Sequence, residues 1–490
     1  MSATDYIVIS LYLAGLLFFG LLRLSRKTVS DNFHLAGRSM GGFVIGVSTM
    51  ATAFSALNFI AFSSEIFAHG LYVLMVLPAF ILVAFPIVKT IIPHYHRLRL
   101  TSVYELLETV FDRRVRRLAA CIFIFWRIAW ASLILYALTL IINRLSGLNA
   151  YLLIAALGLL TTIYTATGGM RTVMITDVVQ VLILIAAFAV ALSVTAGAFR
   201  GFSGAVESIR SLQLLRPFQP ADWNVLHPDP TARMTLWSCM IGGFVAFLSR
   251  YSADQMVVQR YFTARDLSSA RRGFIINIIF HMFALLCLAV FGLTLRQWAI
   301  QNEAAGSGAD ALAWFISVLP SGLSGLLVTA LLASTMSSID SGIHSCGTSF
   351  AFDLLKRGSV QPGTVSGQQA CKNCDRLITI AAGVIVTALA CAIGRLGTIF
   401  EIANRLINAI GAPLLALFAA SLKNNWNNSM NSRGVFWGGS AGFIAAMSTS
   451  LFVRPLALHY YAVVNFLAPL LMCYLASAIF TRMDSQKTAS

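Results

Sequence analysis

The stretch STMSSIDSGIHSCGTS, Ser334–Ser349, decides how the rest of the chain is read. It lies between the apolar runs GLSGLLVTALLA and FAFDLL, yet it holds six serines, two threonines, an aspartate and a histidine. On a helix at about 100° per residue, Ser334, Ser337, Ser338, Ser341, Ser345 and Thr348 fall on one side as a hydroxyl stripe. Asp340 and His344 are four residues apart and flank that stripe. An ionisable side chain at membrane depth costs roughly 3 kcal/mol on the lenient insertion scale, so Asp340 points to function. Hydroxyls beside a carboxylate are hard oxygen ligands of the kind a small cation prefers. Ser345–Thr348 reads as polar packing between helices, and His344 as a satisfied polar residue rather than a ligand.

The membrane setting follows from composition. The 490 residues are 58% hydrophobic and 11% charged, whereas soluble domains carry about 25% charged residues. Thirteen segments reach the length and apolarity of a span: 4–23, 42–67, 71–92, 118–142, 149–166, 177–199, 235–252, 273–295, 320–350, 377–394, 399–421, 434–453 and 458–480. They are called spans 1 to 13 below. With the N-terminus outside and strict alternation, the inner segments hold 24 Lys and Arg and the outer loops 8. Three more, Lys89, Arg127 and Arg405, fall within spans. The bias predicts N-terminus outside and C-terminus inside. It also accounts for the net charge of +16 without nucleic acid, since no basic-aromatic cluster or groove-reading motif is present.

Asp5 before the first apolar run and Arg23, Arg26 and Lys27 after it reverse the order of a cleavable signal. Span 1 is therefore expected to be retained. The Pro-containing segment 200–234 is expected to fold over the outer face, and the Gly/Ser/Gln-rich loop 357–376 to be flexible. Cys371 and Cys374 form a single CKNC without a second pair, so no transition metal is expected.

Two further segments are unusual. In span 2, MATAFSALNF (50–59) puts Ser55 and Asn58 among small residues, and a helix break there would expose carbonyls near the midplane. In TATGGMRTVMITDVVQ (165–180), Gly168-Gly169 is expected to break the helix. Asp177 follows, either as an N-cap or as a functional carboxylate.

With these residues in view, the chain resembles the sodium:solute symporter family. SDNFHLAGRSMGG (30–42), TSVYELLETVFDRRVRR (101–117), TATGGMRTVMITDVVQ (165–180), DQMVVQRYFTARD (254–266) and SSIDSGIHS (337–345) look like its signatures in order, most like the sialic-acid branch. The resemblance implies an all-α polytopic fold with a LeuT-like core of two inverted five-helix repeats. Residues 1–490 would form one transporter domain: first span 4–23, repeat one about 42–199, repeat two about 235–421, and peripheral spans 434–480. Spans 2 and 7 would be the broken helices.

The resemblance also implies a main sodium site. It would use carbonyls of Ala51, Phe54 and Ser334 and hydroxyls of Ser337 and Ser338. Asp177 and Ser341 match a second-cation arrangement. Asp340 stands where that arrangement has a hydroxyl, so a second cation or a proton is implied there. Ser55 and Asn58 match substrate positions. The arginine that holds the substrate carboxylate in the sialic-acid branch aligns with Ala129 or Trp130, and Arg127 lies one turn away. Either Arg127 takes that role or the solute is neutral. Trp126 and Trp130 either stack on a sugar ring or pack.

The function implied is Na+-coupled symport of a small organic solute across the plasma membrane, with a sugar or sugar acid favoured. Beyond Na+ it calls for no cofactor, and beyond lipid and solute for no obligate protein partner. A proton-coupled transporter using Asp177 and Asp340, or an amino-acid or carboxylate substrate, is the alternative. A solute sensor lacks an appended signalling domain, and an intramembrane enzyme would need more than Asp340 and His344.

Overall fold

The computed structural model describes residues 1–21, 30–197, 226, 228–232, 234–302, 308–355, 365–393, 411–422, 430–453, 456–457 and 459–489. Arg405, residues 399–410 of span 11 and most of segment 200–234 lie outside them. The described residues are overwhelmingly helical. Their one β-type pairing is a single bridge between Met40 and Ala264. Helix is what an apolar chain needs in lipid, because each N–H and C=O finds its partner within the segment.

Nine helices among the described residues are long and apolar enough to cross a membrane. Gly42–Ala53 and Ala56–His69 together make a tenth, bent by 63° where span 2 was expected to break. Spans 5 and 6 form one helical stretch, Ala150–Gly197, that turns at Gly169 with φ 67° and ψ −178°. That φ lies in the left-handed range that glycine tolerates. A Cβ at Gly169 would also stand 2.9 Å from the Phe33 ring. Span 7 runs past its expected end at 252: helix Gly243–Ala253 stops at Asp254 and helix Gln255–Phe262 continues it, so the interruption lies at Asp254. The stretch 365–376, expected as loop, is instead helical, because the helix of span 10 runs from Val365 to Ile393.

Burial ranks the helices. In Leu323–Leu354 the most apolar window is 94% buried, against 17% for Ala3–Leu21, so the serine-rich span is the central one. Its start is set by span 1. Asp5 Oδ1 accepts from Gly322 N at 2.7 Å, Gly325 N at 2.9 Å and Ser324 Oγ at 2.7 Å. These satisfy donors that the first turn of helix Leu323–Ser349 would otherwise leave unpaired. Asp5, which the sequence offers only as a topology marker, thus caps a helix more than 300 residues away.

Span 8, Leu267–Gln301, lies against Gly42–Ala53. A Cβ on Gly46 would come within 2.6 Å of Gly273 O, so the two backbones meet there. Span 8 thereby backs the first half of the broken span 2.

Candidate functional site

Span 2 loses its helical ladder at Phe54 (φ −113°, ψ 108°) and Ser55 (φ −112°, ψ 170°). Ala51 O still accepts from Phe54 N at 3.3 Å. The hydroxyl stripe faces this break. Ser338 Oγ donates to Thr52 O at 3.1 Å and to Ser334 O at 3.3 Å, and Thr52 Oγ1 is 3.1 Å from Ser341 Oγ. Ser338 therefore links Thr52 O beside the break to Ser334 O of its own helix. Ser337 turns its proton elsewhere, onto Asp177 Oδ1 at 2.5 Å. A hydroxyl that donates away keeps its lone pairs for a cation.

Asp177 is not an N-cap. It lies in the interior of helix Ala150–Gly197, past the turn at Gly169 and fully buried, and its oxygens accept from side chains of other helices. Ser48 Oγ donates to Oδ2 at 2.5 Å and Arg260 Nη2 to Oδ2 at 3.1 Å. Arg260 also donates from Nε to Ser48 Oγ at 2.8 Å, from Nη2 to Ser341 Oγ at 2.7 Å and from Nη1 to Met256 O at 2.7 Å. Asp340, equally buried, accepts from Tyr164 OH at 2.6 Å and from Ser341 Oγ at 3.1 Å. Asp177, Asp340 and Ser341 do share one cluster, and it contains a covalent cation. The Arg260 guanidinium offsets one of the two carboxylates.

Sequence reasoning missed Arg260. It was visible in MVVQRYF, an arginine amid apolar residues six after Asp254. Arg250 and Arg260 were counted as inner-loop charges, but they belong to helices Gly243–Ala253 and Gln255–Phe262. Removing both leaves the direction of the charge bias unchanged.

The substrate residues are dispersed among other duties. Asn58 Oδ1 accepts from Ser55 N at 3.5 Å and Ser55 Oγ at 3.2 Å, closing the start of helix Ala56–His69, and the Asn58 amide nitrogen has no partner among the described residues. The Arg127 guanidinium is paired with Asp254, both buried. It also lies 4.2 Å from the Trp126 ring, a cation–π contact that occupies a face a sugar would need. Trp130 is buried on the same helix. No hydrogen bond joins Arg127 to Ser55 or Asn58.

The interruption in span 7 is itself tied down. Tyr95 OH donates to Ser252 O at 2.6 Å and Tyr104 OH to Ala253 O at 3.1 Å. The Gln255 side chain accepts from Val103 N at 2.8 Å and donates to Thr101 O at 3.2 Å. Asp254 Oδ1 accepts from Met256 N at 3.0 Å and starts the next helix.

Known proteins share both the sequence pattern and this architecture. The profile of the sodium:solute symporter family matches residues 33–442. The chain belongs to that family. The symporter is 30% identical over 457 residues to the sodium-dependent multivitamin transporter of Oryctolagus cuniculus, covering 91% of this chain and 70% of the relative. It is 27% identical to the sodium/sialic acid symporter NanT of Aliivibrio fischeri, covering 97% of this chain and 93% of that one. Its fold matches that of a Na+-coupled sialic acid symporter solved in a substrate-bound outward-open state, with TM-score 0.85, 24% identity and 98% of each chain covered. It also matches Mhp1, a nucleobase-cation-symport-1 family transporter in a closed conformation, with TM-score 0.54, 12% identity and 92% and 95% covered. The fold is thus LeuT-like. The protein is a multi-pass plasma-membrane transporter, not an enzyme, and it couples Na+ to the symport of a small solute.

Proposed function

We propose that the symporter binds Na+ between the span 2 break and the span 9 hydroxyl stripe, using Ala51, Phe54, Ser334, Ser337 and Ser338. The observation that carries this reading is the Ser338 hydroxyl bonded across to Thr52 O beside the break. Five neutral oxygens hold a monovalent ion weakly enough for it to leave, as transport requires. Residues 1–490 act as one unit, N-terminus outside and C-terminus inside, without an obligate protein partner. Repeat one (about 42–199) and repeat two (about 235–421) rock about the site, with spans 434–480 peripheral. Na+ favours the outward-open form because it binds that form more tightly, and the solute then joins beside it.

Arg260 balances Asp177, which leaves Asp340, with Ser341 and Tyr164, as the acid that takes a second cation or a proton. The solute is a sugar or sugar acid, bound near Ser55, Asn58 and Trp130. NanT is named for sialic acid and other relatives for monocarboxylates, so acids are represented among close matches. Arg127, held by Asp254, is not the residue that receives them.

Uptake into vesicles tests the main site. Ser338→Ala should raise the half-saturating sodium concentration about tenfold or more, the loss of one cation ligand in a site with few. An unchanged value would remove the site as drawn. Asp340→Ser should alter either the sodium stoichiometry or the pH dependence of uptake. If neither moves, Asp340 is structural.

A further inference from the structure

Three arginines lie in or beside the interrupted span 7, and two have carboxylates. Arg127 pairs with Asp254 and Arg260 with Asp177. Arg250, half-buried in helix Gly243–Ala253, has neither an ion pair nor a hydrogen bond from its side chain among the described residues. A cation inside a bundle without a counter-ion is costly, and where one persists it marks a path or a ligand.

Its neighbours in sequence show where it points. Leu248 and Ser252 line a crevice of about 410 Å³ together with Lys89, Arg97 and Phe418. Position 250 is on the opposite side of the helix from both. Ser249 donates to Gly411 O, and Tyr251 stacks on Phe80 at 5.5 Å. The direction left to Arg250 is the one shared by Asp254, one turn on, which meets Arg127 of span 4. Tyr251, the next residue, meets the Phe80 ring, and Phe80 in turn stands edge-on to His281 of span 8 at 5.2 Å. His281 is buried, its Nδ1 has no partner among the described residues, and its ring stands edge-on to Phe54 at 6.1 Å. Spans 4 and 7 run antiparallel in the proposed topology. One turn outward from the Arg127–Asp254 contact, Arg250 is therefore level with Trp130. Among the described residues, an unpaired guanidinium on span 7 and an unpartnered imidazole nitrogen on span 8 thus lie on helices that flank the span 2 break.

We propose that Arg250 receives the carboxylate of the transported solute, with His281 beside it, and so makes this symporter selective for organic acids. The planar fork of a guanidinium matches a carboxylate with two parallel bonds. The solute supplies the counter-charge that the protein itself withholds. The inference rests on the reading that solute binds next to the span 2 break.

Thermal unfolding of the purified full-length protein tests it. N-acetylneuraminate, L-lactate and pantothenate are each compared with their methyl ester or amide, with and without sodium. At least one acid should stabilise the wild type while its neutral counterpart does not. Arg250→Gln should weaken that acid about 10- to 100-fold, the range for a charge-assisted hydrogen-bonded pair, and Arg250→Lys should weaken it less. Because Arg250 has no partner among the described residues, Arg250→Gln should melt no lower than wild type without solute, and its stabilisation by sodium alone should persist. Equal binding of acid and neutral forms, no binding of any acid, wild-type affinity in Arg250→Gln, or a drop of several degrees in its solute-free melting would each overturn the proposal. Loss of the sodium effect in the wild type would count against the sodium site instead, since the contrast between acid and neutral forms is still read without sodium.

Discussion

The two interrupted helices of this symporter treat the same backbone problem in opposite ways. At Phe54 in span 2 the chain leaves its helix, and its neighbours are small hydroxyls, with Ser338 reaching Thr52 O. At Asp254 in span 7 the preceding carbonyls are taken by Tyr95 and Tyr104 hydroxyls, and the aspartate by Arg127. A buried carbonyl must have a partner. A phenol supplies it permanently. A serine that has another acceptor one turn back, as Ser338 has in Ser334 O, can yield it to a cation. The first break is suited to binding an ion and the second to holding its shape.

That contrast can be broken most forcefully at the Arg127–Asp254 pair. Arg127→Met leaves a buried carboxylate unpaired, which typically costs 3–5 kcal/mol. The variant should show a large fall in melting temperature, and adding Asp254→Leu should recover much of it. If Arg127→Met alone melts like wild type, the second break does not depend on the pair.

A smaller effect is expected at the tyrosines. Tyr104→Phe strands Ala253 O and should cost about 1–3 kcal/mol, read as a lower melting temperature with the sodium requirement of uptake unchanged. A shifted sodium requirement would mean that the two breaks are not separable. Smallest is Ser55→Ala, which removes one cap bond of helix Ala56–His69 at about 0.5–2 kcal/mol. Its melting temperature should fall slightly, while uptake shows whether the freed Asn58 still meets solute.

Much of the site was legible because its signals are local. A run of hydroxyls every three or four residues in an apolar context reads as a stripe on a helix, and Ser338 does meet the span 2 backbone at Thr52 O and Ser341 the Thr52 side chain. The turn at Gly169 was legible for the same reason, since two glycines in a row favour it. Arg127 was judged by its distance along the helix from the position the resemblance pointed to, and that could not show that Asp254, 127 residues away, already held it. Arg250 and Arg260 were misread because a charge near a span end looks the same in sequence whether it faces cytosol or the interior.

The sequence by itself determined that this chain lies in a membrane, that it belongs among Na+-coupled symporters, and which helix carries the polar stripe. Those follow from apolarity, the periodicity of a single helix and short motifs, all of which act between near neighbours. The tertiary structure decided the pairing of charges: Asp5 on the start of span 9, Arg260 between Asp177 and Ser341, Arg127 on Asp254, and Arg250 on none of the described carboxylates. Each partner comes from a separate helix, and only packing brings them within the few ångströms over which a buried charge is stabilised.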